Sequence, residues 1–170
     1  MNLQPIINVV VVAPEIPHNT GNLIRLCANV GAQLQLVEPL GFRLKDPRLH
    51  RASLDYGDIK NIVVHKSIND FFNGLSVDRV YGATIPGNVL YTEPKYQIGD
   101  TIIFGSERKG LSQTVVDKLN VENRVEIPMI HGSRSLNLSN AAAVIIYEMW
   151  RQISFYGSSS PKQINEKYFS

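Results

Sequence analysis

Between Ser133 and Asn140 the chain runs SRSLNLSN and passes without a spacer into the apolar stretch AAAVIIYEMW. Starting a helix takes one capping side chain. Ser133, Ser135, Asn137, Ser139 and Asn140 supply several, with Arg134 among them, which points to a segment that also holds a ligand. Arg25 adds a fixed positive charge whose planar fork suits a phosphate or carboxylate. Other chemistries lack their residues. No G-x-G-x-x-G follows the first apolar run, and neither G-x-x-x-x-G-K-[ST] nor G-x-S-x-G occurs, which argues against dinucleotide, P-loop and acyl-transfer sites. His18, His50, His65 and His131 lack metal-ligand spacing, and Cys27 is the sole cysteine, so no metal site and no disulfide framework are expected. The available chemistry is that of arginine, serine, asparagine and backbone groups.

These groups need a scaffold, and apolar runs of strand length alternate along the chain with segments of helical period. Strands are expected at Ile7–Val12, Leu34–Val37, Ile62–His65, Val80–Ala83, Thr101–Phe104 and Arg124–Ile127. Helices are expected at Thr20–Val30, capped by Thr20 and closed by Gly31, and near Pro47–Asp55, Asn69–Leu75, Ser112–Leu119 and Asn137–Ile153. The alternation predicts an α/β protein, a mostly parallel sheet with helices on both faces. In such sheets ligands bind beyond the carboxyl ends of the strands. GATIPG (82–87), FGSERKGL (104–111) and IPMIHGSRSLNLS (127–139) each follow a strand with small residues that let backbone approach a ligand. Each alone reads as an ordinary turn; together they predict a pocket.

The 170 residues suit one domain, 1–156, followed by a polar tail at 157–170 expected to fray. The N-terminus has no basic region or small-residue cleavage site and reads as a first strand, no stretch reaches membrane-spanning length, and the single cysteine fits a reducing cytoplasm. Net charge is only +2, so nucleic acid would have to be met by local patches. GFRLKDPRLHRAS (41–53) places Arg43, Lys45, Arg48 and Arg51 together, with Arg108, Lys109 and Arg134 in the strand-end loops. Alone these read as solvated charge; beside a pocket they read as a phosphate-contacting surface.

On a helical wheel Leu23, Leu26, Cys27 and Val30 face the sheet, and Arg25 points away between Asn22 and Asn29. In the last helix Leu138, Ala141, Ala142, Ile145 and Met149 form the core stripe. Its other face carries Asn140, Ala143, Val144, Tyr147 and Arg151, which is too apolar for a purely solvated helix; it fits a homodimer contact better than the alternative, partial cover by the C-terminal tail.

PEIPHNTGNLIRLCANVGAQLQLVEPLGF, RASLDYGD, FGSERKGL and IPMIHGSRSLNLSNAAAVIIYEMWRQ together resemble the SPOUT (SpoU–TrmD) methyltransferases from about Asn8 to Gln152, with the family's three motifs in order. The likeness is strongest to the group that 2′-O-methylates the wobble nucleotide of tRNA, cytidine or uridine at position 34. The resemblance implies S-adenosylmethionine as cofactor, a C-terminal trefoil knot, and a homodimer with each active site near the subunit boundary. Laid on this chain, it makes Arg25 catalytic, with Ser135 and Asn137 orienting the reactants. It implies cofactor contacts at Ala83, Gly105, Glu107, Ile127, Ser135 and Leu136. Asn19, Arg43, Lys45, Arg48, Arg51, Arg134 and Tyr147 then fall to RNA, in the form of a tRNA anticodon stem-loop, or to the dimer. Another tRNA or ribosomal ribose, or a non-catalytic RNA-binding role, are the alternatives. A flavodoxin-like small-ligand binder would leave Arg25 and the basic cluster unexplained.

Overall fold

A computed structural model describes residues 5–53 and 61–159. Its strands are β1 (Asn8–Val12), β2 (Gln33–Val37), β3 (Val63–His65), β4 (Val80–Ala83), β5 (Val89–Leu90), β6 (Thr101–Phe104) and β7 (Arg124–Glu126). They form one sheet in the order β3-β2-β1-β6-β4-β7-β5, and every pairing is parallel. The helices are α1 (Pro17–Val30), α2 (Pro47–Ser53), α3 (Ile68–Phe72), α4 (Gln113–Val116) and α5 (Leu138–Gln152).

Alternation along the central strands divides the core in two. Val9 and Val11, Leu34 and Leu36, and Ile102 and Phe104 pack with Leu23, Ile24, Cys27, Leu49, Ile145 and Met149 of α1, α2 and α5. Val10, Val37, Val80 and Ile103 face the other way, onto Phe71, Val115 and Leu119. Both faces of β1 are therefore covered, which is why its sequence is a continuous valine run. Burying each of these side chains contributes roughly 1.5–3 kcal/mol.

Several boundaries differ from those read along the sequence, for local reasons. α1 starts at Pro17, a residue whose fixed φ suits the first helical turn, and Thr20 lies inside it, fully buried and capping nothing. Gly31 closes the helix as expected, in the left-handed region at φ 69°. β5 has two residues, too few for any periodicity to register. Leu23, Cys27 and Val30 of the expected stripe are buried and Leu26 only partly so; Ile24 is buried in addition because α1 has a second neighbour in α2. In α5 the buried set is Ser139, Ala142, Ile145, Ile146 and Met149, so Leu138 and Ala141 fall to one side of the core stripe. After α5 the chain folds back: Trp150 donates its indole N–H to the Tyr156 carbonyl at 3.0 Å, and Phe155 stacks edge-on against Trp150. Residues from 160 onward, which make up most of the expected tail, and the expected helix end at Asp55 lie outside the described residues.

From β6 the chain passes through α4, crosses beyond β4 to form β7, and returns as α5 against β6 and α1. That path carries the loops after β4, β6 and β7 and the start of α5 to one end of the sheet.

A candidate active site at the strand ends

The loops enclose a cleft of about 630 Å³, inside the range of roughly 300–1,000 Å³ usual for small-molecule sites. Ala83, Gly105, Glu107, Ile127, Ser135 and Leu136 all line it, joined by Leu138 and Ala141 at the start of α5. Arg25 and Asn137 do not line it.

Backbone forms much of the wall. At Gly105 a Cβ would lie 1.8 Å from the carbonyl carbon of Gly110, so no side chain fits. The loop closes on itself there: the Gly110 N–H donates to the Ser106 carbonyl at 2.9 Å, with Gly110 in the left-handed region at φ 65°. Across the cleft, Gly87 donates its N–H to the Glu126 carboxylate at 2.5 Å, and Thr84 and Asn88 donate theirs to the Val125 and Arg124 carbonyls. These bonds strap residues 84–88 onto β7.

Beside the cleft runs a polar network. The Glu107 carboxylate accepts from the backbone N–H of Glu15 at 2.7 Å, from that of Ile16 at 3.1 Å and from the Asn19 amide at 3.0 Å. Asn19 in turn accepts from the Asn137 amide at 3.0 Å. The Asn137 oxygen caps α5, accepting from the backbone N–H and the hydroxyl of Ser139 at 2.9 and 2.7 Å, and Asn22 donates to that hydroxyl at 3.4 Å. Asn137 thus holds the start of α5, and the structure does not bring it among the cleft-lining groups. Asn19, expected on an RNA or partner surface, is 3% exposed and internal. The reason is its pairing with two partners that lie 88 and 118 positions away. Ser135 is exposed at the cleft, and its hydroxyl has no partner among the described residues.

The cations divide by pairing. Arg48 is held in a two-point contact with Asp46 at 2.8 Å, which neutralises it, and Arg108 pairs with Glu15 at 2.7 Å. Arg25, Arg43, Lys45, Lys109 and Arg134 are exposed, with no side-chain partner among the described residues, and the exposed Arg51 acts on Asp46 through its charge. Arg25 stands three positions after Asn22, one turn along the face that meets α5. Tyr147 is 44% exposed beside Val144, its ring edge-on to Trp150 at 5.6 Å.

Thr84, Arg124 and Met129 also line the cleft and were not singled out along the sequence. Thr84 lay inside a loop already marked, whereas Arg124 sits in strand β7, where nothing local distinguishes it. Burial pushes the Cys27 thiol up to about 12, so it stays protonated and is no nucleophile at neutral pH. Among the described residues no group of three or more His, Cys, Asp or Glu could hold a metal ion.

Fold and cleft define an α/β protein of the class that binds a small ligand beyond the carboxyl ends of a parallel sheet. The profile of the SpoU rRNA Methylase family matches residues 6–147, and the chain belongs to that family. It is 45% identical over 151 residues to the tRNA (cytidine(34)-2′-O)-methyltransferase of Saccharophagus degradans, covering 89% of this chain and 98% of that one. To the protein of the same name from Escherichia coli K12 it is 43% identical over 152 residues, covering 89% and 97%. A solved structure concerning 2-OH methylation of C/U34 on tRNA superposes with a TM-score of 0.81 at 36% identity, over 89% of this chain and 99% of that one. The fold is shared also with the SpoU methyltransferase AviRb from Streptomyces viridochromogenes in complex with AdoMet, at a TM-score of 0.77 and 23% identity, covering 89% and 60%.

Proposed function

We propose that this chain transfers a methyl group from S-adenosylmethionine to the ribose 2′-hydroxyl of the wobble nucleotide, position 34, of tRNA. One observation carries the reading: three separate strand-end loops converge on one backbone-walled cleft, in a chain that matches methyltransferases of that nucleotide over nearly their whole length.

The cleft fits the cofactor. Its volume is adequate, and the close approach of Gly105 to the Gly110 backbone shapes the loop that forms one wall. Ala83, Gly105, Ile127, Ser135 and Leu136 would hold it. When bound, S-adenosylmethionine supplies a methyl group on a sulfonium, already a good leaving group. What remains for the protein is alignment of the reacting atoms and removal of one hydroxyl proton. The unpaired Ser135 hydroxyl orients the ribose or the cofactor carboxylate. Asn137 acts at one remove, by capping α5 and so fixing Ser135 and Leu136 two and one positions before it. Arg25 keeps its proton at any ordinary pH, so it is no general base. Its charge steadies the developing oxyanion or holds an RNA phosphate that takes the proton.

Arg25 is exposed and absent from its own chain's cleft. That supports a homodimer in which α1 and the α5 face of Asn140, Val144, Tyr147 and Arg151 meet a second copy, with Arg25 near the boundary. Arg43, Lys45, Arg51 and Arg134 then offer exposed positive charge to the anticodon stem-loop. The same reading takes the return of the chain from β7 to α5 as a trefoil knot, residues 1–156 as one domain, and the cytoplasm as its location. No helix among the described residues is long and apolar enough to cross a membrane.

The test is transfer of labelled methyl from S-adenosylmethionine to bulk tRNA, followed by nuclease mapping. Label on the 2′-oxygen of nucleotide 34 is the expected result. Label on another ribose redirects the target, and no transfer to any RNA refutes the proposal.

A further inference from the structure

Glu107 borders the cleft, yet both oxygens of its carboxylate are engaged by a different part of the molecule. One accepts from the Glu15 N–H, the other from the Ile16 N–H and the Asn19 amide. Ile16 is the N-cap of α1 and provides no side-chain cap of its own, and Pro17 brings no N–H. The cap that the local sequence lacks is delivered by a residue about ninety positions later in the chain. A carboxylate there also complements the positive end of the helix dipole.

The platform beneath Glu107 is stiff. The Gly110–Ser106 hydrogen bond ties its loop into a ring, and Gly105 packs against Gly110 too closely for any side chain. The other end of the linkage is α1, a helix of 14 residues that carries Arg25. Arg25 stands six residues beyond Asn19, about 9 Å along the axis at the usual rise per residue. A tilt at the first turn therefore moves the arginine. Asn19 passes the constraint on to Asn137 and so to the start of α5.

We infer that Glu107 is a positioning residue that registers the Arg25 helix and the α5 cap against the cofactor loop, rather than a cofactor ligand. The inference rests on the function proposed above for its catalytic consequence, and on geometry alone for the tether. Misplacing a reacting group by about 1 Å can cost on the order of a hundredfold in rate.

The experiment compares full-length wild type with Glu107→Ala, Glu107→Gln, Asn19→Ala and the Asn19→Ala/Glu107→Ala double variant. Amide hydrogen exchange of the 13–20 segment is followed with and without S-adenosylhomocysteine, and kcat and the cofactor KM are measured on tRNA. In Glu107→Ala the Glu15 and Ile16 amides should exchange at least tenfold faster. Its kcat at saturating cofactor should fall at least tenfold, with the cofactor KM within about threefold of wild type. Glu107→Gln, which keeps a carbonyl acceptor, should fall between, and the double variant should be no slower than Glu107→Ala because the two side chains act as one unit. A raised KM with kcat preserved would make Glu107 a direct cofactor contact and overturn the inference, as would unchanged exchange at Glu15 and Ile16. If Glu107→Ala does not fold, Glu107→Gln carries the same comparison. If wild type transfers no methyl, the function fails while the exchange comparison still decides the tether.

Discussion

Two glycines face each other across the cleft loop and are required for opposite reasons, which a crossed substitution separates. Gly105 has no space: an added Cβ meets the Gly110 carbonyl carbon at 1.8 Å, its oxygen at 2.1 Å and the Leu111 nitrogen at 2.1 Å, all of them backbone. Restoring even the closest tolerable contact requires the loop to open by about 1.2 Å. Overpacking of that kind costs about 1–3 kcal/mol. For a chain of this length the cost lowers Tm by about 2–12 °C. Gly110 has nothing within 4 Å of its missing Cβ but holds φ at +65°. There Ala costs about 1–2 kcal/mol, while Asn, which tolerates the left-handed region, costs less. Gly105→Ala should therefore lower Tm and weaken S-adenosylhomocysteine binding tenfold or more, and Gly105→Asn should be worse. Gly110→Asn should recover much of the loss of Gly110→Ala and bind within about threefold of wild type. Thermal melts followed by circular dichroism, with calorimetric titration, read both. A Gly105→Ala protein that melts within 1 °C of wild type and binds normally would refute the reasoning.

Other perturbations test the remaining parts. Arg25→Ala should abolish methyl transfer while leaving cofactor affinity nearly unchanged, and single-turnover assays beside a binding titration separate the two; wild-type turnover would remove Arg25 from the mechanism. Tyr147→Ala should weaken dimerisation or RNA binding, and sedimentation that finds an unaltered dimer with normal tRNA affinity would contradict that role. Asn137→Ala removes the α5 cap and leaves the buried Asn19 oxygen unpaired, an expected loss of about 2 kcal/mol or more in urea unfolding. Hydrogen bonds from the Arg48 side chain and backbone hold the Asp46 carboxyl at about 2, below its ordinary 3.8. Because the folded value is the lower one, the stability it contributes is complete above the ordinary carboxylate range and is lost as pH falls through about 2. Urea midpoints of Asp46→Asn should accordingly show less acid dependence than wild type across that window.

Arg48 also marks a limit of reading charge by spacing. Four cations within nine positions look like one patch, but Arg48 turns onto Asp46 two residues back and Arg51 also acts on that carboxylate, so the unpaired surface is Arg43 and Lys45. The error at Thr20 is of the same kind. A threonine ahead of an apolar stripe is a fair capping residue, yet Pro17 extends the helix by a turn and Glu107 takes over the cap from outside.

By itself the sequence determined the mostly parallel α/β class, six of the seven strands, and the three loops that form the cleft, but neither the two-residue β5 nor the order of strands across the sheet. The features it did determine are local properties: a valine-rich strand, a glycine at a helix end, small residues after a strand each act on their immediate neighbours. Ala83, Gly105, Ile127, Ser135 and Leu136, implied as contacts by the family resemblance, lie in those loops or at their edges and line the cleft. Only the tertiary structure decided what Asn19, Glu107 and Asn137 do. Their hydrogen bonds join residues 88 to 118 positions apart. Such a bond leaves no trace in periodicity or composition, because an amide or a carboxylate has the same local preferences whether it meets water, RNA or another part of its own chain.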